Sequence, residues 1–162
     1  LQIIFNTVSG KFTFDTPGLY FYGFHIQGKT SEFDLFKQGD QTNMGAAMAP
    51  AAADTLFRYF GESGDRAAAY DAIVTGDLGR EGSAILGELL SLRGLSLGNR
   101  HRDCGAMLYD PARQDVHAGG SGCGCSGAVT AGYVMDLFRR GKINDMLLCG
   151  TGALMSPSAL QQ

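Results

Sequence analysis

Tyr70-Asp71-Ala72-Ile73-Val74-Thr75-Gly76-Asp77-Leu78-Gly79 changes character half-way along. Ala72-Ile73-Val74-Thr75 is a short continuous apolar run, the pattern of a strand buried on both faces. Gly76-Asp77 then ends it with a small polar turn. Strands of this kind occur where helices cover both sides of a parallel sheet. The flanking sequence supplies such helices. Upstream, Ala53, Leu56, Phe57 and Phe60 recur at i, i+3, i+4 and i+7. Pro50 suits the first turn of that helix, and Gly61 suits its end. Downstream, Ile85, Leu86, Leu89, Leu90 and Leu92 form a second stripe, closed by Arg93-Gly94.

The alternation continues to the end of the chain. Ala106-Met107-Leu108-Tyr109 reads as another buried strand, and Val116-His117 as a short return strand after the turn at Pro111. Ser126 can cap a third helix, with Val134, Leu137 and Phe138 on one face. Arg139 and Arg140 suit its C-terminal dipole, and Gly141 suits its stop. Met146-Leu147-Leu148-Cys149 is a last strand. Before all of this, residues 1–42 hold two further strand candidates, Ile3-Ile4-Phe5 and Leu19-Tyr20-Phe21-Tyr22. The order of strand, helix, strand, helix, strand pair, helix, strand predicts an α/β fold with layered helices and a mainly parallel sheet.

Composition excludes several classes. A chain of 162 residues with 44% hydrophobic content suits one folded domain. No apolar run approaches the roughly 20 residues of a bilayer-spanning helix. A formal net charge of −3 with scattered basic residues argues against a nucleic-acid partner. The four cysteines are irregularly spaced, which reads as intracellular thiols rather than a disulfide framework. The chain starts at Leu1 without a basic and apolar leader and stops at Gln162 without a closing element, as expected of a fragment.

Ligands of open α/β sheets bind beyond the carboxyl ends of strands. Three such ends are small and polar: Thr75-Gly76-Asp77, Gly119-Gly120-Ser121 and Gly150-Thr151. They read either as a shared pocket that ligands can approach closely or as tight turns that simply favour glycine. The densest segment is Gly119-Gly120-Ser121-Gly122-Cys123-Gly124-Cys125-Ser126-Gly127, which opens the third helix. Gly122, Gly124 and Gly127 match the dinucleotide spacing, but the next strand ends in Cys149-Gly150-Thr151 without the acid that would hold a ribose. Gly23-Phe24-His25-Ile26-Gln27-Gly28-Lys29-Thr30 matches the phosphate-loop spacing, with Phe24 and Ile26 too bulky for a phosphate-wrapping backbone. Cys123 and Cys125 are too close for a zinc knuckle. Cys125 reads either as a helix-end thiol with a depressed pKa or as a small packed residue. His101, in Arg100-His101-Arg102-Asp103, reads as part of a solvated loop. His117 reads either as a pocket residue or as a hydrogen-bonded structural one.

Several of these stretches also carry a resemblance. Met44-Gly45-Ala46-Ala47-Met48-Ala49-Pro50-Ala51-Ala52-Ala53 resembles the first helix in the C-terminal half of thiolase-like enzymes, and residues 70–79 resemble their next strand and active-site turn. His117-Ala118-Gly119-Gly120-Ser121-Gly122-Cys123-Gly124-Cys125-Ser126 and Thr151-Gly152-Ala153-Leu154-Met155-Ser156-Pro157 narrow the likeness to the stage V sporulation protein AD family of spore-forming Firmicutes. The likeness covers residues 43–162; residues 1–42 match poorly, except that Gly28-Lys29 corresponds to the strand before the first helix. It implies the second half of a thiolase-like domain, truncated before its last strand. Condensing relatives carry a catalytic His in the turn at 75–79 and an Asn in the later loop, where this chain has Gly76 and Gly119-Gly120. Losing both groups removes proton transfer and oxyanion support.

The implied function is therefore a non-catalytic sporulation module that binds dipicolinic acid for uptake into the developing spore. Asp77, Gly119, Gly120, Ser121, Cys123, Cys125 and Thr151 would line its pocket. No cofactor is implied, other than calcium where it accompanies dipicolinate, and no metal site. The implied partners are dipicolinic acid, membrane proteins of a spore transport complex, and either a second copy or the missing half-domain. The implied location is the forespore or spore, soluble but peripheral to the inner membrane. The alternative is a thiol-dependent acyltransferase or condensing enzyme, which needs a basic group beside a reactive thiol.

Overall fold

The computed structural model describes residues 43–122 and 124–152, together with the backbone of 3–6 and 11–14. β1 (Ile3–Asn6) and β2 (Lys11–Phe14) pair antiparallel, with Ile3 opposite Phe14. The strand expected at 19–22, the phosphate-loop spacing at 23–30, and Cys123 lie outside the described residues.

The main sheet has three parallel strands in the order β4-β3-β5: β3 (Ala72–Thr75), β4 (His101–Asp103) and β5 (Met146–Cys149). Side chains alternate across a strand, so β3 serves two cores. Ile73, with Leu147 and Cys149 of β5, packs under α1 (Met44–Ser63) and α2 (Gly79–Leu92). Ala72 and Val74, with Met146, face the opposite layer, which holds Cys104, Cys125, Val129 and Val134. This is the expected α/β class with helices on both faces of a parallel sheet.

Several boundaries differ from expectation. Asn43 caps α1 by accepting the Ala46 N–H at 3.0 Å, so the helix starts well before Pro50, which lies inside it. An internal proline costs about 3 kcal/mol. The buried stripe from Met48 to Phe60 runs past it on both sides and offsets that cost. The helix also passes Gly61 and ends at Gly64, whose φ of 72° suits a left-handed cap. α1 and α2 meet backbone to backbone: a Cβ on Gly82 would lie 2.7 Å from the Gly45 carbonyl oxygen.

The apolar run at 106–109 is not a strand. The polar His101-Arg102-Asp103 forms the edge strand instead, and the chain turns directly into α3 (Cys104–Met107). Among the described strands β4 pairs only with β3, and its Arg102 is exposed. Asp103 ends the strand because its carboxylate accepts the Ala106 N–H at 3.0 Å and so caps α3. Val116-His117 is a turn, with His117 at φ 46°, outside the strand region. The third helix begins at Cys125 rather than behind a Ser126 cap. It runs as α4 (Cys125–Val129), a π-helical turn (Thr130–Val134) and α5 (Met135–Arg139).

Candidate functional site at the strand ends

The three small polar strand ends converge on one side chain. Asp77 follows β3 and is 8% exposed. Its Oδ1 accepts the Thr151 hydroxyl at 2.9 Å. Its Oδ2 accepts the Ser121 hydroxyl at 3.2 Å and the Gly122 N–H at 3.0 Å. The Asp77 N–H in turn donates to Thr151 Oγ1 at 2.7 Å. A buried carboxylate needs such donors to offset the loss of water. One turn after β3, the glycine segment before α4 and the loop after β5 are thus clasped together across 44 and 74 positions of sequence.

A second carboxylate lies beside it, and sequence reasoning missed it. Asp103 is 3% exposed and accepts four donors. The Gly79 and Ala106 N–H groups reach Oδ1 at 2.8 and 3.0 Å, and the Thr75 hydroxyl and Leu78 N–H reach Oδ2 at 2.7 and 3.0 Å. Asp103 therefore serves the first turns of α2 and α3 at once. The Thr75 proton goes to Asp103, which leaves Thr75 Oγ1 to accept from His101 Nε2 at 3.0 Å. His101 is a strand residue with a defined partner, not part of a solvated loop. Burial lowers its pKa, opposed by the Asp103 charge and assisted by Arg102.

The glycines close space rather than open it at two key points. A Cβ on Gly120 would lie 2.5 Å from Leu108 Cδ2, and a Cβ on Gly76 would collide with the Thr151 hydroxyl. The Gly120 N–H is held by the Gly105 carbonyl at 2.8 Å. Of the residues expected to line a pocket, Gly119 and Gly120 are thus packed into the protein, and Cys125 is buried in the layer below the sheet. Ser121 is exposed and Thr151 half-buried, with both hydroxyls on Asp77. Open space adjoins Gly122, Gly124, Gly150 and Gly152.

The three described thiols, Cys104, Cys125 and Cys149, are buried and are not poised to react. Burial pushes Cys104 up to about 11, opposed by the Thr130 hydroxyl and assisted by the Asp103 charge. Burial also raises Cys149 to about 11. Cys125 stands at a helix start, where a lowered pKa was expected. Burial and then the Asp77 and Asp103 carboxylates raise it instead. At neutral pH these three thiols keep their protons.

A sequence model of the family described as Stage V sporulation protein AD matches residues 26–162 of this chain. The chain belongs to the stage V sporulation protein AD family. The matched region begins before residue 43 and includes Gly28-Lys29. Among curated proteins, the chain is similar to Stage V sporulation protein AD of Bacillus subtilis (strain 168), 44% identical over 135 residues. That alignment covers 83% of this chain and 39% of the relative, so the chain corresponds to well under half of the relative's length. This member of the stage V sporulation protein AD family has no helix, among its described residues, long and apolar enough to cross a membrane.

Proposed function

We propose that this chain is part of a non-catalytic, thiolase-like module that binds dipicolinic acid for uptake into the developing spore. The observation that carries this reading is the Asp77 clasp. It gathers two hydroxyls and an N–H at the strand ends, on residues that border open space. Dipicolinate is a flat dianion, and such donors are what its carboxylates need. The Ser121 and Thr151 hydroxyls can rotate from Asp77 to the ligand. Asp77 itself opposes a bare dianion, and calcium carried with dipicolinate relieves that opposition by lying between the two. In this reading calcium comes as part of the cargo.

Two features of the chain weigh against the acyltransferase alternative. The described thiols are buried and protonated, and the resemblance to condensing enzymes puts Gly76 and Gly119-Gly120 where those enzymes carry a catalytic His and Asn. A thiol without a neighbouring base is a poor nucleophile at neutral pH. The proposed peripheral association with the spore inner membrane, and partnership with membrane proteins of a transport complex, follow from the same reading.

Calorimetric titration of the chain with dipicolinate, with and without calcium, tests the proposal. Saturable binding is expected, stronger with calcium and weakened by Ser121→Leu, which fills the open side of the clasp. Absence of saturable heat from a chain shown to be folded by circular dichroism overturns it.

A further inference from the structure

The turn after β3 and the start of α2 hold the glycine segment at two points. Asp77 holds its exit, through Ser121 and Gly122. Arg80 holds its entry. The Arg80 N–H donates to the Ala118 carbonyl at 2.7 Å, and the guanidinium donates to the His117 carbonyl. The two backbones meet directly there, since a Cβ on Gly79 would lie 2.8 Å from the Ala118 carbonyl oxygen. Between the two grips, Gly119 and Gly122 stand at φ 123° and 107°, which suits glycine. His117 stands at φ 46° and is, among the described residues, the one non-glycine at positive φ. A side chain makes that conformation costly, and it persists where the surroundings impose it. We propose that Arg80 is a positioning residue of the strand-end site: its guanidinium imposes the His117 conformation, which aims the glycine segment so that Ser121 and the Gly122 N–H meet Asp77.

The two bonds from Arg80 are not equivalent. The Ala118 carbonyl is held by a main-chain N–H, which every residue but proline supplies at position 80. The His117 carbonyl is held by the side chain, and among the described residues no other donor reaches it. The guanidinium therefore fixes the peptide between His117 and Ala118. That peptide sits inside a tight turn closed by the Gly119 N–H on the Val116 carbonyl at 2.8 Å. His117 is the first central residue of the turn, so its positive φ sets the direction in which the chain leaves. Without the guanidinium, His117 is released to relax to negative φ, and the turn opens with it. Ser121 and Gly122 follow within a few residues, on a stretch whose glycines resist little. The consequence for ligand binding rests on the dipicolinate reading; the aiming of the segment does not.

Hydrogen exchange of the Gly122 amide in the full chain tests the aim without any ligand, because that N–H donates to Asp77. Arg80→Ala should speed this exchange about tenfold, the weight of one hydrogen bond from a charged donor, and weaken dipicolinate binding by a similar factor. Amides of β3 and of the middle of α1 should keep their protection, which a general loss of stability would not allow. Arg80→Lys keeps a charged donor and should restore part of both effects. His117→Gly removes the strain, so Arg80→Ala should act more weakly in that background than in the unsubstituted chain. Three results overturn the proposal: Gly122 exchange unchanged by Arg80→Ala, all amides speeded alike, or an equal effect in the His117→Gly background. Faster Gly122 exchange in a chain that binds no dipicolinate supports the positioning role and removes the dipicolinate reading. Dipicolinate binding with unchanged exchange keeps that reading and removes the positioning role.

Discussion

Asp77 and Asp103 are two buried carboxylates at the same strand ends, and both accept hydrogen bonds through both oxygens. They differ in who donates. Asp103 faces a fixed backbone N–H at each oxygen: Gly79 and Ala106 at one, Leu78 at the other. Asp77 has a backbone N–H at one oxygen and only the Thr151 hydroxyl at the other. A backbone donor cannot turn away, whereas a hydroxyl can both rotate and accept. The first carboxylate is locked into the fold, and the second is placed where a ligand can compete for its partners.

That contrast is open to a direct break by the same chemical change at each site. Asp103→Asn puts an NH₂ group against a backbone N–H whichever way the amide turns. It should destabilise the chain by about 3 kcal/mol, the cost of orphaned buried donors. Thermal or urea unfolding measures it. Asp77→Asn can point its NH₂ at Thr151 Oγ1, which has a lone pair to spare, and keep its oxygen towards Ser121 and Gly122. Its cost should stay near ~1 kcal/mol, and its dipicolinate affinity without calcium should rise as the repelling charge is removed. Equal costs at the two positions would abolish the distinction.

The two carboxylates also differ in how plainly the sequence displays them. Asp77 follows a continuous apolar strand and a glycine, which marks a strand end by pattern alone. Asp103 hides in Arg100-His101-Arg102-Asp103, four polar residues that read as solvent-facing. The strand they form has no apolar alternation, because Arg102 is exposed while His101 and Asp103 are tied to Thr75. The available signal was an Asp three residues before Ala106, the spacing of a helix N-cap. β3, β5 and the stripe of α2 were legible because burial alone decides them. The start of α1 was not, because Asn43 outranks Pro50 as a start signal only once the buried stripe on both sides is seen. The glycine segment was legible as a loop, but not the reason for Gly120. Only the structure shows that Leu108 occupies the space its side chain would need.

The central claim is that the strand-end site binds and does not react. Intact-mass spectrometry with peptide mapping, after incubation with an acyl-CoA across a pH series, tests it most directly. A thiol whose pKa is raised stays protonated until the pH climbs towards that value. The account therefore predicts no acylation of Cys104, Cys125 or Cys149 at neutral pH, where burial holds all three protonated and Cys104 has no exposed surface. Stoichiometric acylation of Cys125 at neutral pH would contradict it and make the site that of an acyltransferase.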